Sequence, residues 1–259
     1  MKPLRFNQFD NFFFDETYIA LKNLLYNYQI RKKKIGVILA HEHPKLILEV
    51  GSGISPIVTA SDIVVYSDLS VRAIHILKRH LGRGFFVVAD ARYLPFRKNV
   101  FSHLICSEVL EHLERDGDAI RELWRVAERI GRLFLTFPHR KFYFAIDDRF
   151  VNHFRRYELI EIENLLENTG FKILLINKVL GPLEKVTMWS IISYLSTIKR
   201  SETRKFPIKR NMKPASIFLF VFNIINRLYT IIALLDAWIM PMSLATVLLV
   251  VADKRKDLL

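Results

Sequence analysis

The stretch "LILEVGSGISP" runs from Leu46 to Pro56. An apolar run of strand length ends at one acid, Glu49, and two glycines, Gly51 and Gly53. Glycine lets a backbone turn tightly and approach a ligand with no Cβ in the way. A helix starting downstream would add unpaired N–H groups. A glycine pair between a strand and a helix is also common where nothing binds, so the rest of the chain has to decide.

The same form repeats. "DIVVYSDLS" (Asp62–Ser70) is an apolar run ending at Asp68, and "FFVVADA" (Phe85–Ala91) is another ending at Asp90. "VFSHLICSEVLEHL" (Val100–Leu113) reads as a fourth strand running into a helix, and "RLFLTFPH" (Arg132–His139) as a fifth. Helical segments fall between them: "SVRAIHILKRHL" after the second, "DGDAIRELWRVAERI" after the fourth. Glu158–Val179 reads as a helix, a stop at Gly170 and a sixth strand; Ala245–Lys254 reads as a seventh. Strands apolar on both faces that alternate with helices predict a parallel sheet covered on both sides. Right-handed crossovers then put the strand C-termini along one edge, where open sheets bind ligands.

Spacing sharpens the reading. Asp68 lies 19 residues after Glu49, at the end of the next strand, where a carboxylate can accept both hydroxyls of a ribose. A dinucleotide fingerprint would want glycine at position 56, where this chain has Pro56. A nucleoside without a pyrophosphate does not need that glycine.

With Glu49-Val50-Gly51-Ser52-Gly53-Ile54-Ser55, "DARYLPFRKNVFSH" and "SEVLEHL" in order, the sequence resembles the class I S-adenosylmethionine-dependent methyltransferases, most closely the methyltransferase type 11 group. Ser55 stands where that family's first motif has its last glycine, and His103 where it usually has aspartate. The resemblance covers about residues 46–180 and resumes in the last strand. It implies a Rossmann-like, seven-stranded, mostly parallel α/β sheet with helices on both faces, its last strand antiparallel after a helical insertion. It implies S-adenosylmethionine as cofactor. Glu49, Gly51, Ser52 and Gly53 would line its methionine part, Asp68 would hold the ribose and Leu69 would pack beside the adenine. Asp90 and Ala91 would meet the adenine edge, and Ser107 and Glu108 would approach the sulfonium. The expected organisation is an N-terminal helical segment (1–45), the cofactor-binding core (46–180), an insertion (181–244), and the final strand and tail (245–259).

Methyl transfer is a direct displacement that mainly needs alignment in a dry pocket, and a general base helps only where the acceptor must lose a proton. His112, after the fourth strand, is a candidate base or a packing histidine. In "HFRRY", His153 and Tyr157 are further catalytic candidates, while Arg155 and Arg156 could fork onto an anionic acceptor or simply brace the following helix. His41, His43 and His139 lack metal-ligand spacing, so no metal is expected. Cys106, the one cysteine, excludes an intramolecular disulfide and reads as a small buried side chain.

Lysine and arginine outnumber acids 39 to 26 in the 259 residues, for a formal charge of +13. That balance favours an anionic partner: nucleic acid, anionic lipid or a phosphorylated substrate. Residues 15–40 read as a helix capped by Asp15, with "RKKK" (Arg31–Lys34) as a solvated face; nothing before it resembles a signal peptide. In the insertion, Val186–Ile198 is apolar, Lys199–Lys213 is basic, and Ile217–Met240 is apolar and long enough to span a bilayer. Asn223, Asn226, Arg227 and Thr230 form a polar stripe in its middle, and a central arginine costs roughly 2.5–3.5 kcal/mol in lipid. An amphipathic helix is therefore expected, either a lid over the site or an element on an anionic membrane surface.

The expectation is a cytoplasmic methyltransferase, peripheral on the inner membrane face if the insertion meets lipid, acting on a small-molecule or lipid-like acceptor. RNA modification and non-catalytic cofactor or partner binding stand as alternatives.

Overall fold

The structure is a computed structural model, and it describes residues 24–59, 61–190 and 216–255. Asp15 and the basic loop at 199–213 lie outside the described residues. In chain order the elements are α1 (Tyr26–Leu39), β1 (Ile47–Val50), β2 (Val64–Asp68), α2 (Val71–Leu81), β3 (Phe85–Val88) and β4 (Phe101–Ser107). A single 3₁₀ turn at Leu110–His112 leads to α3 (Asp116–Val126), β5 (Ala127–Pro138), the short α4 (Ile146–Phe150), α5 (Leu159–Thr169) and β6 (Phe171–Leu180). Residues 183–190 are helical (α6), followed by α7 (Ser216–Ile239) and β7 (Val247–Lys254).

Seven strands form one sheet in the order β3-β2-β1-β4-β5-β7-β6. Strands β1 to β5 pair in parallel, and β7 runs antiparallel between β5 and β6, as the sequence led us to expect. The order reverses at β1, so the gap between the C-terminal ends of β1 and β4 is the switch point where such sheets open a crevice.

The central strands carry apolar residues on both faces because both are covered. Leu104 and Cys106 of β4 and Leu133 and Leu135 of β5 pack with Ile120 and Leu123 of α3 and Ile162 and Leu166 of α5. The intervening Ile105 and Phe134 enter the opposite layer with Tyr28 and Ile35 of α1, Leu77 of α2 and Ala233 of α7. The N-terminal helix and the insertion thus share a core with the sheet. The edge strand β3 departs from the expected two-sided burial: Phe85 and Val88 are exposed, because no strand covers its outer side.

Local signals act where they stand. Ser70 caps α2 by accepting the Ala73 amide at 3.1 Å, and the left-handed Gly82 (φ 63°) ends it. Helix α3, expected to reach Ile130, stops at Val126. Phe101 of β4 already pairs with Ala127, and the Arg125 guanidinium holds the carbonyls of Leu94 and Phe96, so β5 starts five residues before the expected Arg132.

The polar stripe of α7 is split: Arg227 is exposed, Asn223 and Thr230 are half-buried, and Asn226 faces the protein. Asn226 is buried, and its Oδ1 accepts the Tyr26 amide at 3.0 Å, satisfying an unpaired N–H at the start of α1. Ile224, Ile225, Leu228, Ile231, Ile232, Leu235, Trp238 and Ile239 are exposed. Residues 222–239 have the length and composition of a membrane span with only 17% of that window buried, yet Asn226 and Ala233 tie the helix to the protein.

Candidate active site

The turn after β1 is built by its glycines. Gly51 adopts φ +68°, and a Cβ there would stand 2.4 Å from the Val109 methyl Cγ2, so only glycine fits beneath the turn that follows β4. Gly53 adopts φ +53° and faces open space, and its amide donates to Asp68 Oδ2 at 2.9 Å. Asp68 Oδ1 accepts the Ser70 amide at 2.8 Å, so one carboxylate locks the ends of β1 and β2 together.

Glu49 does something the sequence did not reveal. Fully buried, it accepts the amides of Ile57 at 2.6 Å and Val58 at 3.2 Å and so fastens the far side of the glycine loop. Burial raises its pKa from the ordinary 4.5 to about 7, against the lowering effect of those two amides.

A cavity of about 260 Å³ opens at the switch point. Glu49, Gly51, Ser52, Gly53, Ser107 and Glu108 line it, as do His112, His153 and Arg156. Asp68, Leu69, Asp90 and Ala91 sit on the adjoining strand ends outside the enclosed volume. There Leu69 is partly open at 36%, while Asp90 is held by Arg92 at 2.6 Å, which pulls its pKa below the ordinary carboxylate value despite burial. Ser107 Oγ is tied to Thr136 Oγ1 at 2.9 Å.

The side chains of "HFRRY" go to different partners. Two of the candidates therefore do not reach the cavity. Tyr157 is buried against Phe137 with its hydroxyl on Asp116 at 2.7 Å, and burial with that carboxylate pushes its pKa up. Arg155 bonds Asp116 and the Glu114 carbonyl. Arg156 does reach the cavity wall, where its Nε donates to Asp148 at 2.8 Å and its Nη1 to the carbonyls of His139 and Thr246. In this structure it braces the site. His153 Nδ1 meets Asp148 at 3.0 Å, and its ring lies 4.6 Å from that of His112.

Several lining residues escaped the sequence reading. Arg31, read as part of a solvated face, is largely buried and pairs with Glu108 at 3.1 Å. The helical periodicity of α1 placed it on the sheet side, a signal that the neighbouring lysines obscured. Asp147 and Asp148 of α4 receive Lys185 of α6, a buried ion pair that anchors the start of the insertion at the cavity wall, where Glu184 and Met188 also stand. His103, at the unusual position in the second motif, is occupied elsewhere: it bonds Glu42 at 2.6 Å. His139 bonds the Ala245 carbonyl at 2.9 Å. Glu111, His112 and His153 bring one ligand atom each within 4.8 Å of one another.

A doubly covered sheet with one antiparallel strand, a glycine turn at its switch point and acids on successive strand ends defines a Rossmann-like α/β fold, whose switch point is where such sheets open a ligand crevice. Residues 48–135, about a third of the chain, match the family described as "Methyltransferase domain". Solved structures agree on the fold. An S-adenosylmethionine-dependent methyltransferase of Thermotoga maritima matches at TM-score 0.58 and 13% identity, covering 96% of this chain and 95% of that one. The YcgJ protein of Bacillus subtilis gives 0.55 and 16%, covering 87% and 99%. Phosphoethanolamine N-methyltransferase 2 of Haemonchus contortus, in complex with S-adenosylmethionine, gives 0.53 and 16%, covering 86% of this chain and 52% of that one. At such identities the shared feature is the fold. The uncharacterized protein MJ0638 of Methanocaldococcus jannaschii is 27% identical over 136 residues, 52% of this chain and 58% of that protein, so the match spans little more than half of the relative's length.

Proposed function

We propose that the protein transfers a methyl group from S-adenosylmethionine to a small-molecule or lipid-like acceptor that enters the cavity. The observation that carries this is the joint between Gly53 and Asp68: a glycine turn without side chains, locked to an acid at the next strand end. S-adenosylmethionine supplies a methyl on a sulfonium, which needs no further activation. This chain supplies the holder. Gly51, Ser52 and Gly53 would face its methionine part, Asp68 and Leu69 its ribose and adenine, Asp90 and Ala91 the adenine edge, and Ser107 and Glu108 the region of the sulfonium. His112 and His153 border the same cavity, and an acceptor that must lose a proton would, on this reading, meet an imidazole there when no cation occupies the pair.

The exposed apolar face of α7 supports contact with a membrane surface, and Glu184 and Met188 support a lid-like role for the start of the insertion. The two roles divide between α6 and α7. On this reading the protein works in the cytoplasm, at the inner membrane face.

Calorimetry of the folded protein with S-adenosylmethionine and with S-adenosylhomocysteine should give heat, and Asp68→Ala should abolish it. Silence with both compounds defeats the reading. Labelled cofactor offered with lipid, small-molecule and RNA fractions then identifies the acceptor, and label in RNA alone would replace the lipid-like acceptor by the nucleic-acid alternative.

A further inference from the structure

Glu111 stands apart from the other buried acids. It is fully buried, and neither carboxylate oxygen accepts a hydrogen bond among the described residues. Its nearest cationic candidate is His153, whose Nε2 lies 3.8 Å from Oε1. Glu108, three residues earlier, lines the same cavity and also has a buried oxygen without a partner, Oε1. One guanidinium, that of Arg31, pairs with Glu108 Oε2. A buried carboxylate left without donors costs several kcal/mol unless it is neutralised by a proton or a cation.

The surroundings favour a cation. The 3₁₀ turn at Leu110–His112 turns Glu111 inward and sets His112 at the cavity wall. The loop after α4 brings His153 to them, held by the Phe154 amide on the Glu111 carbonyl at 2.8 Å. His153 Nδ1 is engaged by Asp148 at 3.0 Å, which leaves Nε2 toward Glu111; a carboxylate behind the imidazole in this way fixes the ring and raises its basicity as a ligand. His112 Nδ1 lies 3.3 Å from the Asn152 carbonyl.

We propose that Glu111, His112 and His153 form a binding site for a divalent first-row transition cation, with Glu108 at its edge. Two imidazoles and a carboxylate are the donor set of zinc, iron(II), manganese(II) and cobalt(II), whereas magnesium and calcium prefer all-oxygen shells. The ligand atoms lie within 4.8 Å of one another. Bonds of about 2.0–2.2 Å would draw them together by about an ångström, within the reach of side-chain rotation. Three protein ligands leave positions open toward the cavity, where an oxygen or nitrogen of an acceptor can complete the shell. The site deepens the methyltransfer reading by pointing to an acceptor with a metal-ligating atom, but cation binding can be read with no cofactor present.

The test uses the untagged full chain, stripped with a chelator and titrated with cobalt(II). Visible d–d absorption saturating near one equivalent, with zinc displacing it, is the expected result. Glu111→Gln and His153→Gln should each weaken binding at least tenfold, and His75→Ala, on the exposed side of α2, should leave it unchanged. Should Glu111→Gln fail to fold by circular dichroism, His112→Gln at the cavity wall carries the same reading. Less than a tenth of an equivalent bound, or binding indifferent to all of these ligand substitutions, overturns the proposal whatever the calorimetry with S-adenosylmethionine shows.

Discussion

Arg31 reaches from α1 to Glu108 at 3.1 Å, so a helix that precedes the sheet in the chain supplies a wall and a charge to the cavity at its centre. Both side chains are mostly buried, and removing one leaves the other charge poorly compensated. Arg31→Met should destabilise the protein by about 1–3 kcal/mol, read as a lower urea midpoint. Lys33→Ala, two residues on and exposed, should stay within about 0.5 kcal/mol of the parent. Equal effects would mean that the pair contributes nothing.

Gly51 and Gly53 should respond differently to alanine, although both have positive φ. At Gly51 the new Cβ would meet Val109 at 2.4 Å; at Gly53 it would meet nothing within 4 Å. Gly53→Ala should cost about 1–2 kcal/mol for the left-handed backbone alone. Gly51→Ala should cost that plus overpacking of about 1–3 kcal/mol. Adding Val109→Ala should recover part of the second loss and none of the first, a coupling that a double-mutant cycle measures directly.

Glu49 gives the stability curve a slope of definite sign. Its native pKa is about 7 against an ordinary value of 4.5, so between those values the folded protein holds a proton that the unfolded chain has released. Stability from this group is therefore greatest below about pH 4.5, falls as pH rises toward 7, and is flat above it. Glu184, raised by the same burial, acts in the same direction. Urea unfolding at about pH 5 and about pH 7.5 should show the fall, and Glu49→Gln should flatten it. An unchanged slope in that variant would place the titration elsewhere.

The apolar face of α7 predicts vesicle binding. Ile231→Asp and Trp238→Asp change exposed residues, at 58% and 77% accessibility, and should leave folding intact. Cosedimentation with anionic vesicles should drop severalfold in either variant. Equal binding by parent and variants would remove α7 from any membrane role.

The periodicity of apolar runs was enough to find the seven strands, although β3 is open where two-sided burial was expected and β5 begins five residues early. Glycines and acids at strand ends likewise marked the floor of the cavity, because backbone conformation and charge at a strand terminus are local matters. The walls were not legible in this way. Arg31 looked like one of four solvated cations until the packing of α1 turned it toward Glu108. Asn226 looked like part of a solvent face until the start of α1 needed an acceptor. Tyr157 read as a catalytic candidate and Arg155 as one that could fork onto an anionic acceptor, and the folded chain puts both on Asp116.

Sequence alone, then, determined the order of strands along the chain and the glycine turn, since each depends on neighbours a few residues apart. Only the tertiary structure decided which charges meet: Arg31 with Glu108 across 77 positions, Lys185 with Asp147 across 38. Such pairs are chosen by the energetic cost of burying a charge alone, and that cost exists only once the chain has closed around it.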